Sequence, residues 1–212
     1  MALIAVIGGT GYAGRHIVAE AAERGHTVLS VARRVASERV AGVTYVEGTL
    51  LDVPSLLTEL RGVDAVVVAV APRGDMAEFV RPNVEALNAT LPENVRLGVV
   101  GGAGGSLVAP GGPRVVDVGF PEEFKAEALE MIGVLEDLQN EEGDRDWFLI
   151  HPAGGFGAFN PGERRGAYRD GGDVIVTDAE GESFISGEDF AAAVVDEIEH
   201  PKHHRERFTV GY

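Results

Sequence analysis

Three glycines at intervals of three, Gly8, Gly11 and Gly14, follow the apolar run Leu3–Ile7 and open the helically spaced segment Tyr12–Arg24. In the stretch Gly8-Gly9-Thr10-Gly11-Tyr12-Ala13-Gly14 the first glycine permits a tight turn. The second lets backbone approach a pyrophosphate, and the third lets the helix pack close to the strand. A helix starting here also turns its free first-turn N–H groups and positive dipole end toward phosphates. These residue types at this spacing point to dinucleotide binding through Gly8, Thr10, Gly11, Tyr12, Ala13 and Gly14.

After the next strand-like run comes Ala32-Arg33-Arg34, with no Asp or Glu between Glu23 and Glu38. An acidic residue near this point would hydrogen-bond the ribose 2′-hydroxyl of NAD, whereas arginine accommodates a 2′-phosphate. NADP(H) is therefore expected over NAD(H), with Arg33 the principal contact and Arg34 stacking or helping. A solvated arginine pair on a loop is the alternative. The late cluster His200, His203 and His204 follows a helix and includes Lys202, Arg205 and Arg207. No carboxylate spacing completes a metal site there, and positive groups suit a helix C-terminus, so no metal is expected.

Those residues need elements to hold them. The chain has 212 residues and 45% of them are apolar, enough for one ordinary core, and nothing in it suggests a repeat or a linker. Zero cysteines exclude disulfides and thiolate chemistry, which fits a cytoplasmic location. With 34 acidic against 18 basic residues the net charge is −16, which argues against nucleic acid and anionic membranes as partners. No apolar run reaches the length of a membrane span. Any phosphate must be held by local structure. Strands are expected at Leu3–Ile7, Thr27–Val31, Thr44–Val46, Ala65–Val70, Arg96–Val100, Trp147–Ile150, Val174–Val176 and Phe208–Val210. Helices are expected at Tyr12–Arg24, Pro54–Leu60, Met76–Leu91, Pro121–Asn140 and Gly187–Glu199. In the long helix Phe124, Ala128, Leu129, Ile132, Leu135 and Leu138 fall on or near one face. Strands alternating with helices make an α/β, doubly wound parallel sheet. Of the 29 glycines, many cluster after the first, fifth and sixth strands, at the strand ends where such a sheet binds its ligand.

With these motifs in order, the sequence resembles the atypical short-chain dehydrogenase/reductase family, in its NAD(P)H-binding branch of flavin/biliverdin reductase-like and epimerase-like proteins. The markers are Ile7-Gly8-Gly9-Thr10-Gly11, Val99-Val100-Gly101-Gly102-Ala103, His151-Pro152-Ala153-Gly154 and Ile185-Ser186-Gly187-Glu188-Asp189. The resemblance implies a single Rossmann-fold domain over 1–212, with a cofactor half to about residue 150 and a small C-terminal substrate cap over about 151–212. It further implies adenine contacts from Thr49 and Leu50, with Thr49 standing where relatives carry aspartate. Ala69, Val70 and Ala71 would run beneath the ribose. Gly101 and Gly102 would lie near the nicotinamide, and Pro152, Ala153 and Gly154 would face its carboxamide. Asp189 would cap or orient the last helix.

The family's usual catalyst is a Tyr-x-x-x-Lys pair, and none of the four tyrosines has a lysine at that spacing. The equivalent stretch, Pro121-Glu122-Glu123-Phe124-Lys125, carries phenylalanine, which donates no proton. Losing an acid costs ketone reduction about 10²–10⁴-fold. A flavin or quinone instead spreads the incoming charge over its ring and takes its proton from water, so positioning dominates. Candidate polar groups are Ser106, Lys125 and His151. Phe156 and Phe159, in a glycine-rich flap, are candidates to cover a planar substrate or to pack on the core. The expected function is an oxidoreductase passing hydride from NADPH to a small planar acceptor. The alternatives are an NADP(H)-binding regulator without catalysis and a nucleotide-sugar epimerase or dehydratase.

Overall fold

The computed structural model describes residues 1–35 and 37–212. Its strands are β1 (Leu3–Ile7), β2 (Thr27–Ala32), β3 (Val43–Glu47), β4 (Ala65–Val68), β5 (Arg96–Val100), β6 (Trp147–His151), β7 (Arg169–Asp170) and β8 (Glu206–Gly211). The helices are α1 (Tyr12–Glu23), α2 (Val53–Glu59), α3 (Val80–Thr90), α4 (Glu122–Asn140) and α5 (Gly187–Glu199). One sheet runs in the order β3-β2-β1-β4-β5-β6-β8-β7. Every pairing is parallel except the antiparallel β7–β8 edge. Strand order therefore reverses between β1 and β4, which opens a crevice at their C-terminal ends.

Both faces of the sheet are covered, as the near-continuous apolar strands require. Ala5, Ile7, Leu29, Val31, Val66, Val68, Leu97, Val99 and Leu149 face the layer of α2, α3 and α4. The intervening residues Ile4, Val6, Val28, Val67, Phe148 and Ile150 face α1 and α5. Register keeps the two sets apart: Ala5 lies opposite both Leu29 and Val66, and Val99 opposite Leu149. A slip of one residue would exchange the faces.

Local chemistry sets the helix ends. Helix α1 closes in a Schellman arrangement, with Gly25 N–H on Ala22 O at 3.0 Å and His26 N–H on Ala21 O at 3.0 Å. Asp52 caps α2 by accepting from Ser55 N–H at 3.1 Å, and Ser186 caps α5 by accepting from Asp189 N–H at 3.1 Å. Helix α3 has no cap of its own. The Glu130 carboxylate of α4 accepts from the N–H groups of Glu78, Val80 and Arg81 at 2.6, 2.8 and 3.1 Å.

Several expectations are corrected. Helix α3 begins at Val80 instead of Met76, because Gly74–Met76 form a separate 3-10 turn and Glu78 has φ +68°. Val174–Val176 is not a strand; Val174 makes an isolated bridge to Leu107, and the sheet edge is Arg169–Asp170 instead. On α4, Ala128, Ile132, Leu135 and Leu138 are buried, but Phe124 and Leu129 are half exposed. Beyond β6 the chain rejoins the main layers, β8 pairing with β6 and α5 packing on α1. The stretch from 152 to 186 is largely irregular apart from β7, and it is pinned by Gly154 N–H on Ser183 Oγ at 2.9 Å and Arg165 N–H on Asp189 at 2.6 Å.

A buried charge cluster fastens β5, β6 and α5. Arg96 reaches Glu197 at 2.6 Å and Asp146 at 2.8 Å. Burial works to raise the Glu197 carboxyl pKa, but hydrogen bonds from Arg96, His203 and Lys202 outweigh it and hold the group below its ordinary value. His203 bridges Glu197 and Asp170 at 2.8 and 3.1 Å and stacks on Phe208, while His204 pairs with Asp146 at 3.0 Å. Two of the three clustered histidines, His203 and His204, are thus engaged by carboxylates. Among the described residues no helix is long and apolar enough to cross a membrane.

Candidate dinucleotide site

The ends of β1 to β4 enclose a cleft of about 260 Å³. Gly8, Thr10 and Gly11 form one wall, Ala69, Val70 and Ala71 the facing one, and Arg33, Gly48, Thr49 and Leu50 close the far end. The glycine turn is forced by its surroundings. Gly8 has φ +86°, and a Cβ there would lie 2.5 Å from Ala69 O. A Cβ on Gly14 would lie 2.1 Å from Gly8 O, so only glycine lets α1 start this close to the strand. Gly11, at the N-cap, offers no side chain to α1. The first-turn N–H groups of Tyr12, Ala13 and Gly14 therefore have no intrahelical or capping partner and stand available to an anion. A backbone cradle, open helix N–H groups and an arginine-lined far end fit a dinucleotide phosphate chain. The fit comes from local structure, despite the acidity of the chain as a whole.

The far end is more elaborate than the sequence suggests. Arg33 lines the cleft, but Arg34 is exposed outside that lining. Arg33 is also not free, since its Nη1 donates to Asp75. Five lining residues were not among the expected contacts: Ile7, Ala32, Gly48, Arg73 and Met76. Arg73 lies two residues beyond Ala69–Ala71, so extending that segment past Pro72 would have found it. It grips Glu127 of α4 through Nε and Nη2 at 3.0 and 2.6 Å. Asp75 and Glu127 carried no signal, because both partners are brought there by the fold.

Gly101, Gly102, Pro152, Ala153 and Gly154 follow β5 and β6 along the same sheet edge, outside the lining of this cleft. The polar candidates beside them are withdrawn from solvent. Ser106 is fully buried, and its Oγ has no partner among the described residues. His151 lies beneath Gly105, where a Cβ would come within 2.5 Å of its ring. Its Nδ1–H donates to Gly102 O at 2.8 Å. Burial pushes the imidazole pKa down to about 4, only partly opposed by the Gly102 carbonyl, so the ring is neutral at pH 7. This geometry gives His151 no proton to deliver near neutrality. Lys125 sits on α4 with its Nζ 3.6 Å from Glu122 of the same helix. In the flap, Phe156 packs between Tyr12 and Phe190 at 5.2 and 4.5 Å between ring centres, whereas Phe159 is exposed. Asp189 takes a structural part, accepting from Arg165 and Gly166 N–H groups and from the Tyr212 hydroxyl.

Known proteins match this arrangement over the whole chain. The "Uncharacterized protein YwnB" of Bacillus subtilis (strain 168) is 35% identical over 98% of this chain and 97% of its own. A "putative exported protein" from Burkholderia pseudomallei is 38% identical, covers 100% of both chains and has a TM-score of 0.88. A "putative NADH-flavin reductase" from Streptococcus pneumoniae TIGR4 is 31% identical, with a TM-score of 0.87 over 100% of this chain and 99% of that one. The family profile described as NAD(P)H-binding matches residues 8–201. The chain belongs to that NAD(P)H-binding family.

Proposed function

We propose that the protein is a cytoplasmic reductase that passes hydride from NADPH to a small planar acceptor of flavin or quinone type. The observation that carries this reading is the cleft itself: a glycine cradle at one end, Arg33 and Arg73 at the other, and no Asp or Glu in the chain directly after β2. NADPH bound there would supply a hydride. The chain's own task is to hold the phosphates on the α1 N-terminus, place Arg33 at the 2′-phosphate and leave the nicotinamide end against the glycines after β5. The acceptor takes the hydride from NADPH and one proton from water, leaving NADP⁺. That proton source suits a site whose Ser106 and His151 are buried and whose α4 carries Phe124 in place of a phenol. The similarity to a reductase of that named class favours the same chemistry.

The burial of Ser106 and His151 also favours a second reading, an NADP(H)-binding regulator without turnover. One assay separates the two. Purified protein mixed with NADPH and excess flavin or menadione is expected to consume the nicotinamide above the protein-free rate. Tight NADPH binding with no oxidation across a panel of such acceptors would overturn the reductase reading and leave the regulator.

A further inference from the structure

Both arginines of the cleft hold intramolecular counter-ions. Arg73 is engaged by two hydrogen bonds to Glu127, which α4 fixes in place. Arg33 is engaged through one nitrogen only, by Asp75. The carboxylate is presented by a defined turn. Gly74 has φ +62°, the Met76 side chain is buried, and Glu130 holds the following backbone at Glu78 and Val80. Both members of the Arg33–Asp75 pair remain more than half exposed, so a ligand in solution can reach and exchange the contact.

We propose that Asp75 is an internal counter-ion that competes with the 2′-phosphate for Arg33 and so sets how strongly the protein prefers NADPH to NADH. The proposal rests on the dinucleotide reading of the cleft. A phosphate monoester is close to a dianion at neutral pH, and guanidinium forks bind it well. To accept it, Arg33 must give up the carboxylate, which is then left beside the dianion. At about 5 Å and water-like screening, that repulsion amounts to roughly a tenfold loss of affinity. It weakens further with salt, because the pair is exposed. A 2′-hydroxyl brings no charge, so NADH leaves the pair closed and does not sense it.

The test measures dissociation constants of NADPH and NADH by fluorescence titration of the full chain in four forms: wild type, Asp75→Asn, Arg33→Ala and the double variant. Asparagine is close to isosteric and the site is exposed, and a thermal melt checks that each variant is folded. Asp75→Asn is expected to tighten NADPH about tenfold at low salt and to change NADH less than about twofold. The gain shrinks as salt is added, and it is smaller in the Arg33→Ala background, where no guanidinium holds the phosphate beside Asp75. An unchanged NADPH/NADH ratio in Asp75→Asn would overturn the proposal while leaving the dinucleotide reading intact. An equal gain with and without Arg33 would overturn it too. Failure of the wild type and Asp75→Asn to bind either dinucleotide would overturn both the proposal and the reading beneath it.

Discussion

Acidification separates a buried structural imidazole from a working acid at His151. In the unfolded chain this histidine takes up a proton near its ordinary pKa of 6.5, whereas in the folded protein burial delays uptake to about 4. Between those values the unfolded state binds a proton that the folded state does not. The stabilising contribution is therefore complete above pH 6.5 and is lost as pH falls toward 4. Its slope reaches about 1.4 kcal/mol per pH unit, and its total is about 3 kcal/mol. That is a large share of a typical 5–15 kcal/mol stability. The assay is urea unfolding at a series of pH values across this window, for wild type and His151→Asn. The asparagine amide retains a donor for Gly102 O, so the variant should fold, with lost packing costing about 1–3 kcal/mol above pH 6.5. Its stability should then fall less steeply with acid than that of the wild type. His16, also lowered by burial, acts in the same direction but is present in both proteins, so the difference isolates His151. Parallel profiles would refute the reasoning, as would a His151 ring that titrates above pH 6 in the folded protein.

The remaining predictions test individual parts. Ser106→Ala removes a buried hydroxyl without a partner, so stability should hold or rise by up to about 1 kcal/mol, and nicotinamide oxidation should be unchanged; a hundredfold loss of turnover would make Ser106 catalytic. Glu197→Ala leaves Arg96 buried without its main carboxylate, at a cost of about 3–5 kcal/mol by chemical denaturation. Because the Glu197 pKa is depressed, its contribution is present above the ordinary carboxylate value and lost as pH falls through the folded one. A destabilisation under 1 kcal/mol would contradict the buried pairing. Gly14→Ala forces a methyl onto Gly8 O, so melts and cofactor titrations should both show loss, and an unaffected protein would contradict the packing.

Where apolar pattern and turn chemistry agree, the elements could be read directly from the chain. β1 and β5 fall at the expected residues, and α5 spans Gly187–Glu199 because Ser186 signals its start. The cradle was legible too, since Gly14 packs on Gly8 within one turn, although the contact that excludes a side chain at Gly8 comes from Ala69 O after β4. What was hidden depends on the tertiary fold. β7 is a two-residue charged strand with no alternation, defined only by its partner β8. The late start of α3 follows from Gly74 and from a carboxylate fifty residues further along the chain. Phe124 and Leu129 obey helical spacing yet face outward, because periodicity gives a face without saying how wide the buried stripe is. At the site, sequence supplies the arginine but not its partner, because Arg33 and Asp75 meet only through the β1–β4 crossover. The same limit applies to His151, whose position at a strand end was plain but whose depth beneath Gly105 was not.

The most direct test of the central claim is a titration of wild type and Gly11→Asp with NADPH and NADH. Gly11 occupies the N-cap of α1 at φ −70°, where aspartate is a favoured residue, but a Cβ there would lie 3.2 Å from Gly8 O, so a thermal melt checks that the variant is folded. Its carboxylate would take up the α1 N–H groups and repel the pyrophosphate, weakening both dinucleotides by about a hundredfold. The account predicts that the wild type binds one dinucleotide per chain, NADPH more tightly than NADH, and that Gly11→Asp loses both. A wild type that binds neither, or a folded Gly11→Asp that binds them unchanged, would contradict it.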